Sequence, residues 1–253
     1  DDLKTWLIKM KQVQSWKTTK ATVDAVYALL MGGSDWLKNN KNAEITLGNI
    51  KVDPAKMGAK TEAGTGYFKV AWNGSDVKPE MGKVTVINPN SNPAWGAVYW
   101  QYFEQLDKIT PAETPLKLEK KIFKEIQTDR GPKLEPVSNN SLLSPGDRLK
   151  VRIVLRSDRD MEFIHMKDMR AAGTEPENVL SRHKYQDGLW YYESTKDVST
   201  DFFIERLNKG TYVFEYPLRV NLKGNFSAGI TTIQCMYAPE FSAHSEGIRV
   251  EVK

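Results

Sequence analysis

Residues 146–156 read GDRLKVRIVLR, and this stretch decides the fold. Every second position is aliphatic while the positions between are mostly charged, and the aliphatic residues are Leu149, Val151, Ile153 and Leu155. Alternation of this kind is typical of a β-strand that buries one side and exposes the other. The stretch therefore predicts a half-buried strand, which the turn residues at 144–147 introduce.

The rest of residues 111–253 continues in the same style. Short alternating runs recur with turn residues between them, and they lie at 116–122, 149–156, 161–166, 201–206, 211–216, 229–236 and 248–252. Seven or eight such strands predict an immunoglobulin-like β-sandwich. The preceding residues 108–115, with Pro111 and Pro115, are predicted to be a linker.

Residues 34–110 predict a smaller β-sandwich. Its strands are expected within 43–52, at 67–72, at 83–87 and at 95–103, with a hairpin turn at Asn73-Gly74. The last of these runs is apolar on both sides, which predicts a strand buried on both faces.

Residues 1–33 have the period of α-helices instead. Two amphipathic helices are predicted, with Leu3, Trp6, Leu7 and Met10 on one stripe and Val23, Val26, Tyr27 and Leu30 on the other. Thr18 and Thr19 are the candidate caps of the second helix. A unit below about 40 residues rarely has enough core to fold alone, so these helices are expected to be the remnant of a larger helical domain. The predicted fold class is thus mainly β, with two β-sandwich domains after a short helical remnant.

The composition limits the classes of protein to which this chain can belong. The 253 residues are 40% hydrophobic and 27% charged with a net charge of +4, as in ordinary soluble globular proteins. No run approaches 18 apolar residues, so no membrane span is expected. The lysines are dispersed rather than gathered on one face, which argues against nucleic-acid binding. The chain begins at Asp1 without a signal peptide, which predicts either a cytoplasmic protein or a fragment of a longer one.

The residues offer little catalytic chemistry. His165, His183 and His244 lack a metal-binding spacing, and the lone Cys235 excludes a disulfide framework and a cysteine-ligated zinc site. The serines and histidine of residues 242–246 lack a Gly-x-Ser-x-Gly elbow. We therefore predict no catalytic residue, no metal, no cofactor and no enzymatic activity.

Two aromatic groups leave alternatives open. One gathers within nine residues and comprises Trp95, Tyr99, Trp100, Tyr102 and Phe103; the other is Trp190-Tyr191-Tyr192. Exposed rings could stack on sugars, whereas buried rings would pack a core or an interdomain seam.

The C-terminal stretch carries a family resemblance. Its segments Gly210-Thr211-Tyr212, Gly224-Asn225-Phe226, Met236-Tyr237-Ala238-Pro239-Glu240 and Ser245-Glu246-Gly247-Ile248 resemble the C-terminal domain of bacterial alpha-2-macroglobulins. Gly146-Asp147-Arg148-Leu149 and Arg170-Ala171-Ala172-Gly173 are similar to the same domain. Ser15-Trp16-Lys17-Thr18-Thr19 and Ala28-Leu29-Leu30 resemble the last helices of the family's thioester-type helical domain.

The resemblance implies the C-terminal part of a protease trap in the bacterial cell envelope or periplasm. In this family a protease cuts a bait segment, the molecule rearranges and the protease is caged. Many members also carry a Cys-x-Glu-Gln thioester. This sequence has no such motif, because Cys235 is followed by Met236-Tyr237-Ala238. The resemblance implies that the motif's usual place, near the start of the helical domain, would be upstream of Asp1. The implied partners are proteases, met through a membrane-anchored parent, and the chain's own upstream helical domain. Met236 and Tyr237 are the expected contact with that domain, and the alternative is a plain strand end with a core methionine.

The alternative is a carbohydrate- or surface-binding pair of β-sandwiches without a trapping role. Its support is the aromatic group at Trp95, Tyr99, Trp100 and Tyr102. Burial of these rings at a seam between domains would remove that support.

Overall fold

Two helices open the chain in the computed structural model, which describes residues 2–32, 41–63, 66–91, 94, 96–138 and 141–253. Helix α1 spans Asp2–Val13 and α2 spans Thr19–Met31. The Thr18 hydroxyl accepts a hydrogen bond of 3.1 Å from the Ala21 amide, as an N-cap does. The two predicted helices and the Thr18 cap are confirmed.

The chain forms two compact units. The larger comprises Asp1–Trp16 together with Trp100–Lys253, and the smaller comprises Lys17–Tyr99. The division at 1–33, 34–110 and 111–253 remains a prediction about domains.

The smaller unit contains α2 and a three-stranded antiparallel sheet. Its strands are β1 (Glu44–Leu47), β2 (Ile50–Val52) and β3 (Val84–Ile87), in the order β2-β1-β3. Gly48 turns β1 into β2 at φ +59°, which glycine adopts without steric cost. Leu47, Val52 and Met81 form the core of this sheet.

The prediction of a β-strand at 67–72 is wrong, but the predicted alternation of the side chains between two sides is right. These residues belong to no strand, yet Phe68, Val70 and Trp72 pack against the small core while the residues between them are exposed. An extended segment can therefore show a period of two without a ladder of backbone hydrogen bonds.

The larger unit is a β-sandwich. Its strands are β4 (Leu116–Thr128), β5 (Gly131–Pro136), β6 (Arg148–Ser157), β7 (Met161–Met169), β8 (Thr174–Pro176), β9 (Arg182–Gln186), β10 (Leu189–Thr195), β11 (Ser199–Leu207), β12 (Gly210–Val220), β13 (Gly224–Ser227), β14 (Thr231–Cys235), β15 (Ala238–His244) and β16 (Arg249–Val252). One sheet has the order β15-β14-β7-β11-β10-β9, the other β5-β4-β6-β12-β8, and β13 pairs with β16. The mainly β fold class is confirmed.

Strand β6 lies at the centre of the five-stranded sheet, between β4 and β12. Its four alternating aliphatic residues are at most 1% exposed, so the half-buried strand is confirmed. They pack with inward residues of the six-stranded sheet such as Ile164, Met166 and Phe202. This shared core holds the two sheets face to face.

The predicted linker at 108–115 is also part of the larger unit. Ala112 and His244 exchange backbone hydrogen bonds of 3.1 and 3.0 Å, and the Gly247 amide donates to the Ile109 carbonyl at 2.9 Å. The linker prediction is wrong because these bonds tie the segment to β15 and to the residues that follow it.

Helix α1 joins the larger unit through its C-terminal end. Val13 is 3% exposed within the main core, and both the amide and the hydroxyl of Ser15 donate to the Glu162 carboxylate at 2.8 Å. Leu3 and Trp6 are 80% and 56% exposed, so the described residues leave much of the α1 stripe uncovered.

Candidate functional site

Met236 and Tyr237 form the two-residue turn between β14 and β15. Met236 is 60% exposed and Tyr237 is 77% exposed, although the residues on either side of them, Cys235 and Ala238, are buried. The predicted contact residues therefore lie together at the tip of a hairpin that is anchored in the core. Because the tip is anchored, its large exposed side chains can contact a partner without the entropic cost of ordering a loop.

Phe163 of β7 supports this turn. Its carbonyl accepts a 2.9 Å hydrogen bond from the Met236 amide, and its ring lies 5.1 Å from that of Tyr237 at an interplanar angle of 84°. Phe163 has φ +58°, which is uncommon for a bulky residue. Met161 and Ile164 both face the core, so the inward alternation of β7 is interrupted at Phe163, while the pairing of β7 with β11 keeps its register.

Cys235 lies next to the turn but is not reactive in this structure. Its side chain is 1% exposed, and its sulfur lies 3.4 Å from the Glu162 carbonyl. Burial raises the pKa of the Cys235 thiol, which lowers the thiolate fraction. Cys235 therefore occupies its position as a small buried hydrophobic side chain.

The aromatic group at 95–103 does not form the predicted strand. Tyr99, Trp100 and Tyr102 are 68%, 48% and 75% exposed, and residues 96–103 belong to no strand; Trp95 lies outside the described residues. The expectation of burial on both faces is wrong because no neighbouring strand pairs with residues 96–103. The binding alternative therefore keeps the exposed rings that support it.

The second aromatic group divides between the two faces of β10. Tyr191 is 4% exposed and packs 5.2 Å from Phe214 in the core, where burial raises its pKa to about 12. Trp190 is 65% exposed and lies 5.0 Å from Tyr185 of β9. Successive residues of a strand point to opposite faces, so three adjacent aromatics cannot form one cluster.

A buried ionic network joins the two sheets, and sequence reasoning missed it. Lys120 of β4 lies 2.8 Å from Asp168 of β7, and their side chains are 1% and 0% exposed. Lys120 also donates to the carbonyls of Met169 and Ala228. The hydroxyls of Tyr216 and Thr231 donate to the same Asp168 carboxylate, and burial together with this carboxylate raises the Tyr216 pKa well above its ordinary value. The signal available in the sequence was the alternation of β4, which places Lys120 on the inward face of the strand.

Asp201 is a second buried carboxylate with its own set of partners. It is 1% exposed and accepts hydrogen bonds from His165 at 2.8 Å and Ser199 at 3.1 Å, with Lys196 at 3.3 Å. Burial alone would raise the pKa of this carboxyl, but the three donors outweigh it and hold the pKa below its ordinary value.

The histidines and serines are dispersed in the structure. Among the described residues no group of three or more His, Cys, Asp or Glu side chains could hold a metal ion. The buried Ser245 hydroxyl accepts from the Thr231 amide and donates to the Glu246 carbonyl, so its hydrogen bonds go to backbone groups. Within the described part of the chain, no helix is both long enough and apolar enough to cross a membrane.

One family model matches the chain. Residues 116–240 match the bacterial alpha-2-macroglobulin MG10 domain. This match covers eleven of the thirteen strands of the larger unit in full, from β4 to β14, and the first three residues of β15.

Similar solved structures are alpha-2-macroglobulins of two bacteria. The Escherichia coli protein activated by porcine elastase is 19% identical over 57% of this chain and 14% of that chain, with a TM-score of 0.47. The Salmonella protein reacted with methylamine is 22% identical over 57% of this chain and 10% of that chain, with a TM-score of 0.44. A mutant Salmonella form covers 95% of this chain and 15% of that chain at 17% identity and a TM-score of 0.44.

A curated relative is similar over a shorter stretch. The circularly permutated Ras protein 2 of Dictyostelium discoideum is 20% identical over 108 residues, which is 43% of this chain and 3% of that protein. This chain therefore spans a small part of the length of each protein that it resembles.

Proposed function

Since residues 116–240 belong to the MG10 domain family of bacterial alpha-2-macroglobulins, we propose that this chain is the C-terminal interaction region of a protease-trapping macroglobulin. Cleavage of a bait segment elsewhere in a longer polypeptide starts the rearrangement that cages the protease. This region acts as a docking module whose contacts change during that rearrangement. It has no inhibitory action by itself.

The observation that carries the proposal is the exposed turn at Met236 and Tyr237. Two large side chains stand more than half exposed at the tip of a hairpin, while Phe163 fixes the turn from the neighbouring strand. An apolar surface presented in this way favours a contact with another protein surface. We propose that its partner is the helical domain, where the thioester of many relatives lies.

The two helices support a helical partner domain. No residue of α2 is buried, and Val23, Tyr27 and Leu30 are each more than half exposed. An amphipathic helix gains most of its stability from burying its apolar stripe. We propose that further helices of the same polypeptide cover these stripes.

Release of such a contact is the physical basis of the proposed mechanism. Interfaces between domains of one chain are of modest size and commonly permit relative motion. Strain relieved upstream can therefore shift the equilibrium between a docked and an undocked arrangement. The family match also suggests an extracytoplasmic location, which we propose to be the bacterial cell envelope or periplasm, with the membrane anchor upstream.

The test uses a longer polypeptide that carries this chain at its C-terminal end. It is mixed with a general protease, and the remaining activity is measured on a large protein substrate and on a small peptide substrate. Loss of activity on the large substrate alone indicates caging and supports the proposal. Equal activity on both substrates, with the polypeptide cut but no protease retained, contradicts it. The 253-residue chain is the control and should leave both activities unchanged.

A further inference from the structure

The outer face of the six-stranded sheet carries one aligned row of side chains across all six strands. Strand pairing places these residues side by side in the order Ser242, Gln234, His165, Phe203, Tyr192 and His183. The adjacent residues Ile233, Ile164, Phe202 and Tyr191 are buried in the core. Because side chains alternate between faces, the row points away from the core.

Aromatic rings follow one another along this row. His165 and Phe203 are stacked with centroids 4.7 Å apart, Tyr192 follows at 6.5 Å from Phe203, and His183 lies 4.9 Å from Tyr192. Tyr185 and Trp190 add a second ring pair beside the row, at 5.0 Å. We refer to His165, Phe203, Tyr192, His183, Trp190 and Tyr185 as the outer aromatic face.

Core packing does not account for these rings. Tyr185, Trp190 and Phe203 are 61%, 65% and 38% exposed, whereas the core ring Tyr191 is 4% exposed. Contiguous exposed apolar surface on a folded domain indicates a binding site more often than isolated exposed residues do.

The charge of this face selects the class of ligand. Asp201 is buried beneath it and is paired with His165 and Lys196. The other charged side chains that strand alternation places there include Lys167, Glu205 and, on the edge strand β15, Glu240, so both signs are present. The polar neighbours of the rings include Ser194, Thr232, Gln234 and Ser242, which are neutral. The face therefore has little net charge to attract an anionic or a cationic ligand. A neutral ligand rich in hydroxyls can form hydrogen bonds with these neutral side chains.

We propose that the outer aromatic face binds a neutral glycan chain. Pyranose rings stack on Trp190 and Tyr185 through their C–H faces, and hydroxyl groups bond to the neutral polar side chains of the row. Neighbouring strands lie about 4.8 Å apart, which is close to the length of one pyranose unit in a β-linked chain. A glycan that runs across the strands therefore meets a new side chain of the row at each sugar. This binding function is independent of protease trapping.

Binding of soluble neutral oligosaccharides to the 253-residue chain tests the proposal. Chitohexaose and cellohexaose are titrated into the chain by isothermal calorimetry, at concentrations up to several millimolar. Saturable binding of at least one is expected, and Trp190→Ala and Tyr185→Ala should each weaken it by tenfold or more. Because both side chains are exposed, thermal melting of the variants should show only the small loss expected from one ring pair, which separates loss of the site from loss of the fold.

Tyr102→Ala is the matched control, since this exposed ring belongs to the other aromatic group. It should leave the affinity unchanged. The proposal is overturned if neither oligosaccharide binds, or if the two sheet variants bind as the unchanged chain does. Loss of binding in Tyr102→Ala alone would also overturn it, because the site would then lie in residues 96–103.

Discussion

The rings of Tyr237 and Phe163 meet edge to face, with their centroids 5.1 Å apart. Phe163 holds a positive φ of 58°, a conformation that surrounding structure must maintain in a bulky residue. Its carbonyl also accepts the hydrogen bond of the Met236 amide. The exposed turn is thus fixed by a second strand through both backbone and side chain, which makes it a rigid contact surface.

The ring contact of Tyr237 predicts a small effect on stability. Tyr237→Ala should lower the free energy of unfolding by about 0.5–1.5 kcal/mol, because an edge-to-face pair is worth about that much while the side chain buries little area. Tyr102→Ala, at a position of similar exposure without a ring contact in the described part of the chain, should change it by less than about 0.5 kcal/mol. Urea denaturation measures both, and equal effects would show that the ring pair contributes nothing.

The buried pair of Lys120 and Asp168 predicts a large effect. Lys120→Met should destabilise the chain by about 3–5 kcal/mol, because it leaves the Asp168 carboxylate buried without its cation. Lys117→Met lies on the same strand, but its side chain is 55% exposed, so the loss should stay below about 1 kcal/mol. The comparison is made by chemical denaturation. Similar losses in the two variants would mean that the network does not stabilise the sandwich.

Asp201 predicts a dependence of stability on acid. Its folded-state pKa lies below its unfolded value of about 3.9, so its contribution is fully present above that value and is lost as the pH falls through the folded pKa. The difference in free energy of unfolding between the unchanged chain and Asp201→Asn should shrink as the pH falls below about 4. Denaturation curves at several pH values measure it. A difference that grows on acidification would contradict this assignment.

Gly247 predicts a steric effect at the segment that precedes β4. A Cβ atom at this position would lie 1.8 Å from the Leu106 carbonyl oxygen, so backbone must move. Gly247→Ala should cost about 1–3 kcal/mol and should increase amide exchange around residues 106–112, where the Ile109 and Ala112 hydrogen bonds lie. Gly82→Ala is the control because its added Cβ would meet no atom within 4 Å. Unchanged exchange in Gly247→Ala would show that the segment is not held there.

The central strand could be predicted because its sequence alternates without interruption. Strand β5 was not predicted because Pro132 and Pro136 lie in it. Proline is tolerated at these positions because β5 is an edge strand of its sheet. Edge position is a property of the folded sheet, so no local pattern reveals it. The aromatic run at 95–103 gave the opposite error, because its residues favour strands, yet none of the described strands pairs with residues 96–103.

The candidate site, like the fold, could be predicted only in part from the sequence. The exposure of Met236 and Tyr237 agrees with a contact role that the sequence suggested only through its family resemblance. The support from Phe163 could not be predicted, because it depends on the pairing of β7 with β14, two strands that are distant in sequence. The inward lysine of β4 had a visible signal in the alternation, but its partner Asp168 lies 48 residues away.

Hydroxyl-radical footprinting tests the central claim most directly, because it reads the accessibility of Met236 and Tyr237 without any substitution. Oxidation of both side chains is measured by mass spectrometry in the 253-residue chain and in the longer polypeptide before and after protease cleavage. We predict rapid oxidation in the isolated chain, several-fold protection in the uncut polypeptide, and recovery of the rapid rate after cleavage. Equal oxidation in all three samples would contradict the account, because the turn would then have no partner to release.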